Sequence, residues 1–311
     1  MMGAKVFLTG ATGVIGRRVV PALVAAAHQV TAVGRTAEKR AQLERQGARA
    51  VAVDLFDPAA ARAAVRGHDV LVNLATHIPP SSQAFFPWAW RANSRVRREV
   101  AANLAAAALA SGVGRLIQES FAPIYADGGE RWLDEAAPVK PARYNRSVLD
   151  AEAAVARISR EGGAGVVLRF AFFYGPDSAF SRDALALVRR GWAPVFGSPE
   201  AFFSSISHDD AAAAVVAALA VPAGIYNVSD DRPVTRREFA GAIAAALDVK
   251  PPRFLPRWLA TLGGSLGETL SRSQRIANTK LRSASGWVPR YPSVVEGWRA
   301  VVVKGEPRIG N

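Results

Sequence analysis

The sequence predicts an α/β protein: a doubly wound parallel sheet with helices on both faces and a smaller C-terminal cap. Three observations carry this. Short β-branched runs alternate with long alanine-rich segments through the first 170 residues. The runs VFL, AVAV and VLVNL are apolar without polar alternation, as strands covered on both faces require. Beyond Val166–Phe170 the rhythm breaks, and Pro and Gly recur at 175–176, 191–199, 222–224 and 251–256.

The predicted elements follow a βαβ order: a strand over residues 5–9, helix 14–27, strand 29–33, helix 37–46, strand 50–53, helix 58–65, strand 70–74, helix 91–110 and strand 115–118. This assigns residues 1–170 to a nucleotide-binding domain and 171–311 mainly to a substrate-binding cap. The chain is expected to return to the sheet near 204–230, with a late strand at 224–228. No internal repeat, linker or heptad run appears.

Composition bounds the function. The 311 residues are 50% hydrophobic, enough for one large core or a core plus a cap. The start MMGAKVFLTGATGVIG leads directly into a strand and a glycine turn, not a secretory signal. The longest apolar run, 211–221, is too short to span a bilayer. Without cysteine there are no disulfides or thiolate metal sites, and His28, His68, His77 and His208 lack ligand spacing. The expectation is a cytoplasmic, metal-free protein with no membrane partner. The net charge of +13 comes mostly from arginine, since only six of the 39 basic residues are lysines. They are scattered, with no zinc finger or aromatic RNA-binding signature among them, so no nucleic-acid partner is expected.

The strongest motif is TGATGVIG, residues 9–16, between the first strand and first helix. Gly10 permits a tight turn, Gly13 lets the backbone approach a pyrophosphate, and Gly16 lets the helix pack close to the strand. Thr12, Val14 and Ile15 complete a loop whose N–H groups face the phosphates. This is the glycine loop of a Rossmann-type fold. After the second strand the chain reads AVGRTAEKR: no acid occupies Gly34 or Arg35, and the Arg35 guanidinium offers a planar fork of donors. NADP(H) is therefore favoured over NAD(H), with Lys39 or Arg40 assisting. In VAVDLFD, Asp54 is expected to end the third strand and accept from the adenine amine while Leu55 packs on the ring. Ala75 follows the fourth strand at the cofactor cleft.

These pieces, with VLVNLAT, NLAAAALASGVGRLI, DEAAPVKPARYNRS, LRFAFFYGPDS, SHDDAAAAVVAAL and GIYNVSDDRPVT, cover nearly the whole chain. They resemble the extended or atypical short-chain dehydrogenases/reductases, the NAD-dependent epimerase/dehydratase superfamily. The resemblance implies a tyrosine and a lysine four residues later on one helix face. The lysine holds the nicotinamide ribose and lowers the tyrosine pKa; the tyrosine exchanges a proton with the substrate oxygen. Tyr144 matches the tyrosine, at the first turn of a helix, but the lysine position is Val148. Arg146, about 200° around that helix, is no replacement. The family's active hydroxyl would stand at Phe121, with Ser120 adjacent. His77, in the loop after the fourth strand, and Glu119, at the end of the fifth, are alternative proton carriers. Asn93 and Asn145 are candidate orienters.

Aromatic residues of loop 77–90 (Phe85, Phe86, Trp88, Trp90) and of the cap (Tyr174, Trp192, Phe196, Phe202, Phe203) suggest an aromatic pocket wall for a small, partly apolar metabolite. Three readings stay open: an NADP(H)-dependent oxidoreductase acting on a carbonyl or secondary alcohol, a redox-neutral epimerase, dehydratase or rearrangement enzyme, and a nucleotide-binding sensor without turnover. The resemblance also implies a homodimer through helices 91–110 and 141–160.

Overall fold

A computed structural model describes residues 3–256 and 263–305. Seven parallel strands form the central sheet: β1 (Lys5–Thr9), β2 (Gln29–Val33), β3 (Arg49–Val51), β4 (Val70–Asn73), β5 (Arg115–Phe121), β6 (Ala164–Phe170) and β7 (Gly224–Val228). Their spatial order is β7-β6-β5-β4-β1-β2-β3. The chain steps outward from β1 to β3, then crosses back to place β4 on the other side of β1. The crevice outside the carboxyl ends of β1 and β4 is therefore the topological switch point, where open α/β sheets take their ligands.

Alternation along β1 shows why the strands lack polar residues. Val6 and Leu8 enter one core with Val19, Val20 and Leu23 of helix Gly16–Ala25 and with Ala211, Ala214 and Val215 of helix His208–Ala217. Phe7 enters the opposite core with Leu104 and Ala108 of helix Ala101–Ser111 and with Ala151, Val155 and Ile158 of helix Ser147–Arg160. Both faces are covered, so both kinds of position must be apolar.

A third core lies outside the sheet. Tyr174, Phe203, Phe239, Ile243 and Trp298 pack together, contributed partly by helices Arg236–Ala246 and Val294–Gly305. Tyr174 and Phe203 are thus packing residues: the Tyr174 ring stacks on Trp298 at 5.4 Å, while Phe203 is buried against Phe239.

Four local expectations are corrected. The first regular helix begins at Gly16, leaving Val14 and Ile15 in the glycine turn. The third strand ends at Val51, so Asp54 sits in the following loop, where its Oδ1 accepts from the Phe56 N–H at 2.9 Å. Tyr144 precedes its helix: residues 143–146 form a turn closed by bonds from Asn145 N to Ala142 O and from Val148 N to Asn145 O, and the regular helix starts at Ser147. The four-residue step from Tyr144 to Val148 therefore does not lie within a regular helix, although Arg146 is exposed and away from the core as expected. Finally, the long helix from Arg91 contains a π-turn, Val96–Val100.

Candidate functional site at the glycine loop and Tyr144

Gly10 has φ +68°, and a Cβ there would lie 2.3 Å from the Leu74 carbonyl oxygen. The end of β1 thus passes against the end of β4 at the switch point, a contact only glycine permits. A Cβ on Gly16 would lie 2.2 Å from the Gly10 carbonyl oxygen, so loop and helix interlock at both glycines. Between them Gly13 is exposed and donates its N–H to Gly10 O at 3.0 Å. Thr12 and Val14 are half-buried, while Ile15 anchors in the core. Helix Gly16–Ala25 starts without a side-chain cap; the Arg17 and Arg18 N–H groups donate to the Gly13 and Ile15 carbonyls, so the loop around Thr12 and Val14, with the positive end of the helix dipole behind it, is what meets an anion. This donor set fits the pyrophosphate of a dinucleotide.

Below the loop runs a row of polar side chains that sequence reading missed. Thr9 donates its hydroxyl to Asn73 Oδ1 at 2.5 Å, and Asn73 Nδ2 donates to Gln118 Oε1 at 2.8 Å. These are register partners, Thr9 and Asn73 at the ends of β1 and β4 and Gln118 midway along β5, which runs past the predicted end at residue 118 to Phe121. Asn73 Oδ1 also accepts the Ala75 N–H at 3.2 Å, which fixes the half-buried Ala75 at the cleft. For Thr9 and Asn73, a polar residue closing an otherwise apolar strand was the available signal.

At the adenosine side, Arg35 is exposed just beyond β2, at the start of the turn that Thr36 caps for helix Ala37–Arg45. Arg40 donates to the Gly34 carbonyl at 3.2 Å. Asp54 is exposed and Leu55 half-buried, packed on the second core.

The opposite end holds the chemical candidates. Tyr144 is 7% exposed and packs with Trp90, Ala142, Phe121 and Leu266; its ring centroid lies 4.6 Å from that of Trp90. Burial pushes its phenol up to about 12, opposed by a hydrogen bond with Thr269 and by the nearby Arg97 and Arg272 guanidinium groups. Ser120 lies elsewhere: it is fully buried and donates to Glu152 Oε1 at 2.5 Å. Glu152 is held bidentately by Arg169 at 2.8 and 2.7 Å, Arg169 donates to the Tyr125 hydroxyl, and Tyr125 donates to Asn227. Ser120 is thus committed to a buried network joining β5, β6 and β7. His77 is exposed, and its backbone N–H is held by Asn93 Oδ1 at 2.8 Å. Asn93 therefore orders the loop that carries His77. Glu119 is buried in an ion pair with Arg97, at 2.9 Å.

Of the aromatic candidates, Phe85, Phe86, Trp88 and Trp192 are exposed; Phe85 meets Phe196 edge-on and Phe86 stacks on Trp88. Among the described residues no group of three acidic or histidine side chains is placed to hold a metal, and no helix is long and apolar enough to cross a membrane.

Residues 10–222 match the NAD(P)H-binding family. A 3-diazoavenalumate denitrifying reductase from a Streptomyces species is 33% identical over 310 residues, spanning 94% of this chain and 98% of that protein. A 2-alkyl-3-oxoalkanoate reductase of Shewanella oneidensis is 28% identical, spanning 87% and 74%. Among solved structures, the human epimerase family protein SDR39U1 with NADPH superposes at a TM-score of 0.80, with 23% identity over 96% of this chain and 99% of that one. The chain belongs to the NAD(P)H-binding family, with the fold of the epimerase and dehydratase structures it superposes on.

Proposed function

We propose that the protein is an NADPH-dependent reductase that reduces a carbonyl of a small, partly apolar metabolite, with Tyr144 donating the proton. When bound, the cofactor supplies a hydride. The loop at Gly10, Thr12, Gly13 and Val14 holds the pyrophosphate, Arg35 meets the 2′-phosphate, and Leu55 and Ala75 line the cleft. The cap beyond residue 170, with the aromatic loop 77–90, receives the substrate.

The carrying observation is the burial of Tyr144. A phenol pushed up to about 12 is ionised in only about one molecule in 10⁵ at pH 7. It is therefore poorly suited as the base that alcohol oxidation requires, but it remains a competent acid toward a more basic alkoxide. Val148, fully buried, adds no compensating cation. The site favours reduction over oxidation.

A second reading is favoured by the 33% identical relative, whose name states a diazo substrate, loss of nitrogen and reduction. Hydride added to the carbon of an aryl diazonium forms a C–H bond as the C–N bond breaks and N₂ leaves, and no proton is needed. A site without an ionisable tyrosine suits that acceptor equally well.

Calorimetry with NADPH and NADH tests the cofactor assignment, and loss of nicotinamide absorbance with a panel of aryl ketones and aryl diazonium salts tests the reaction. Oxidation of NADPH by ketones supports the first reading and by diazonium salts alone the second. Absence of binding by either coenzyme overturns both.

A further inference from the structure

We propose that the buried Arg97–Glu119 pair sets the proton affinity of Tyr144, with Arg97 supplying the positive charge that no lysine provides at Val148. This rests on the reading of Tyr144 as a proton donor, and it makes Arg97 a positioning residue.

The geometry begins with the π-turn. Val96–Val100 interrupts the helix that starts at Arg91. An inserted π-turn changes which side chains face inward, and such bulges recur at functional sites. Here the inward residue is an arginine, 4% exposed, in a chain whose other arginines are mostly at the surface. A guanidinium is not buried without compensation. Among the described residues its hydrogen-bond partner is Glu119 of β5, through one Nη2–Oε1 bond of 2.9 Å. Arg97 Nε and Glu119 Oε2 are both buried and have no partner among the described atoms. The pair is thus incompletely satisfied where a structural ion pair would use its full bidentate capacity, as Arg169 does with Glu152.

The arginine stands beside the segment that carries Tyr144. Ser94, one turn before Arg97, meets the Ser147 hydroxyl at 3.4 Å. The π-turn packs along helix Ser147–Arg160. Asn145, next to Tyr144, is fully buried and its side chain faces the Tyr144 phenol, while Nδ2 of Asn93, one turn before Arg97, is buried without a partner among the described atoms.

The charged groups that act on Tyr144 come from two elements, Arg97 from the π-turn and Arg272 from the segment after helix Gly264–Ser271; Glu119 of β5 enters through its ion pair with Arg97. Arg272 is already committed to Glu268 and to the Tyr125 and Lys140 carbonyls. Arg97, whose Nε has no partner among the described atoms, is on this proposal the cation that stabilises a phenolate left after proton donation, and Glu119, paired with it, moderates its charge.

The test replaces Tyr144 by 3,5-difluorotyrosine, whose greater acidity brings ionisation into a range the fold tolerates, and follows its ¹⁹F shift against pH. Glu119→Gln removes the moderating charge and should lower the midpoint by about one unit. Arg97→Met should raise it by a similar amount, and Arg97→Lys should restore it. General loosening of the pocket would move both charge-removing variants the same way. Unchanged midpoints, or shifts of one sign, overturn the proposal; if Arg97→Met does not fold, the sign of the Glu119→Gln shift decides alone. NADPH calorimetry on the unaltered protein tests the functional reading separately, because the titration needs no substrate.

Discussion

The Ser120 hydroxyl donates to Glu152 Oε1 at 2.5 Å, within a chain of buried bonds that runs through Arg169 and Tyr125 to Asn227. The hydroxyl beside the family's active position is therefore part of the scaffold. Ser120→Ala should lower stability by about 1–3 kcal/mol, the cost of a lost buried bond to a charged acceptor. NADPH affinity should be unchanged. Chemical denaturation and calorimetry check both; a loss of turnover at full stability would return Ser120 to the chemistry.

Tyr144→Phe keeps the ring against Trp90 and removes only the hydroxyl. Carbonyl reduction should fall by about 10²–10⁴-fold, the usual contribution of a positioned acid, with NADPH binding unaltered. Single-turnover kinetics separate chemistry from binding. If rates with an aryl diazonium fall as well, Tyr144 does more than deliver a proton.

Arg35→Ala should weaken NADPH by about 10- to 100-fold, because a charge-assisted contact to the 2′-phosphate is lost. NADH should bind within about twofold of its original affinity. Parallel calorimetric titrations decide this, and equal weakening of the two coenzymes would remove the 2′-phosphate assignment.

His208 supplies a pH dependence. Its ring is 1% exposed, and burial, reinforced by Arg18, pushes its pKa down to about 4. The folded protein thus binds a proton less readily than the unfolded chain, whose histidine titrates near 6.5. Stability from this group is complete above about pH 6.5 and is lost as pH falls through about 4, a difference of about 3 kcal/mol. Melting temperature should drop over that window, and His208→Asn should flatten the drop. A variant with the same slope would assign it to carboxylates instead.

The parts legible in the sequence were those governed by local rules. Gly10 could be read because a strand followed by a tight turn needs positive φ, and φ there is +68°. The alternation of Val6, Phe7 and Leu8 between two cores was legible because a strand covered on both faces leaves no room for polar residues. Tyr144 was located by its motif, but its placement in a turn depends on tertiary contacts with Trp90 and the cap. Arg97 went unread among so many surface arginines, since nothing local announces a π-turn or its burial. Glu119 is read from sequence as an alternative proton carrier, and only the fold supplies its ion-pair partner Arg97.

The last strand of the sheet, β7, pairs with β6 along its whole length, from Gly224 against Val166 to Val228 against Phe170. A fragment severed after residue 170 would keep the coenzyme loop yet bare one flank of the sheet, a row of amides and carbonyls apt to latch onto sister molecules. Anyone grafting a foreign specificity module onto this scaffold must therefore carry residues 224–228 along with the host.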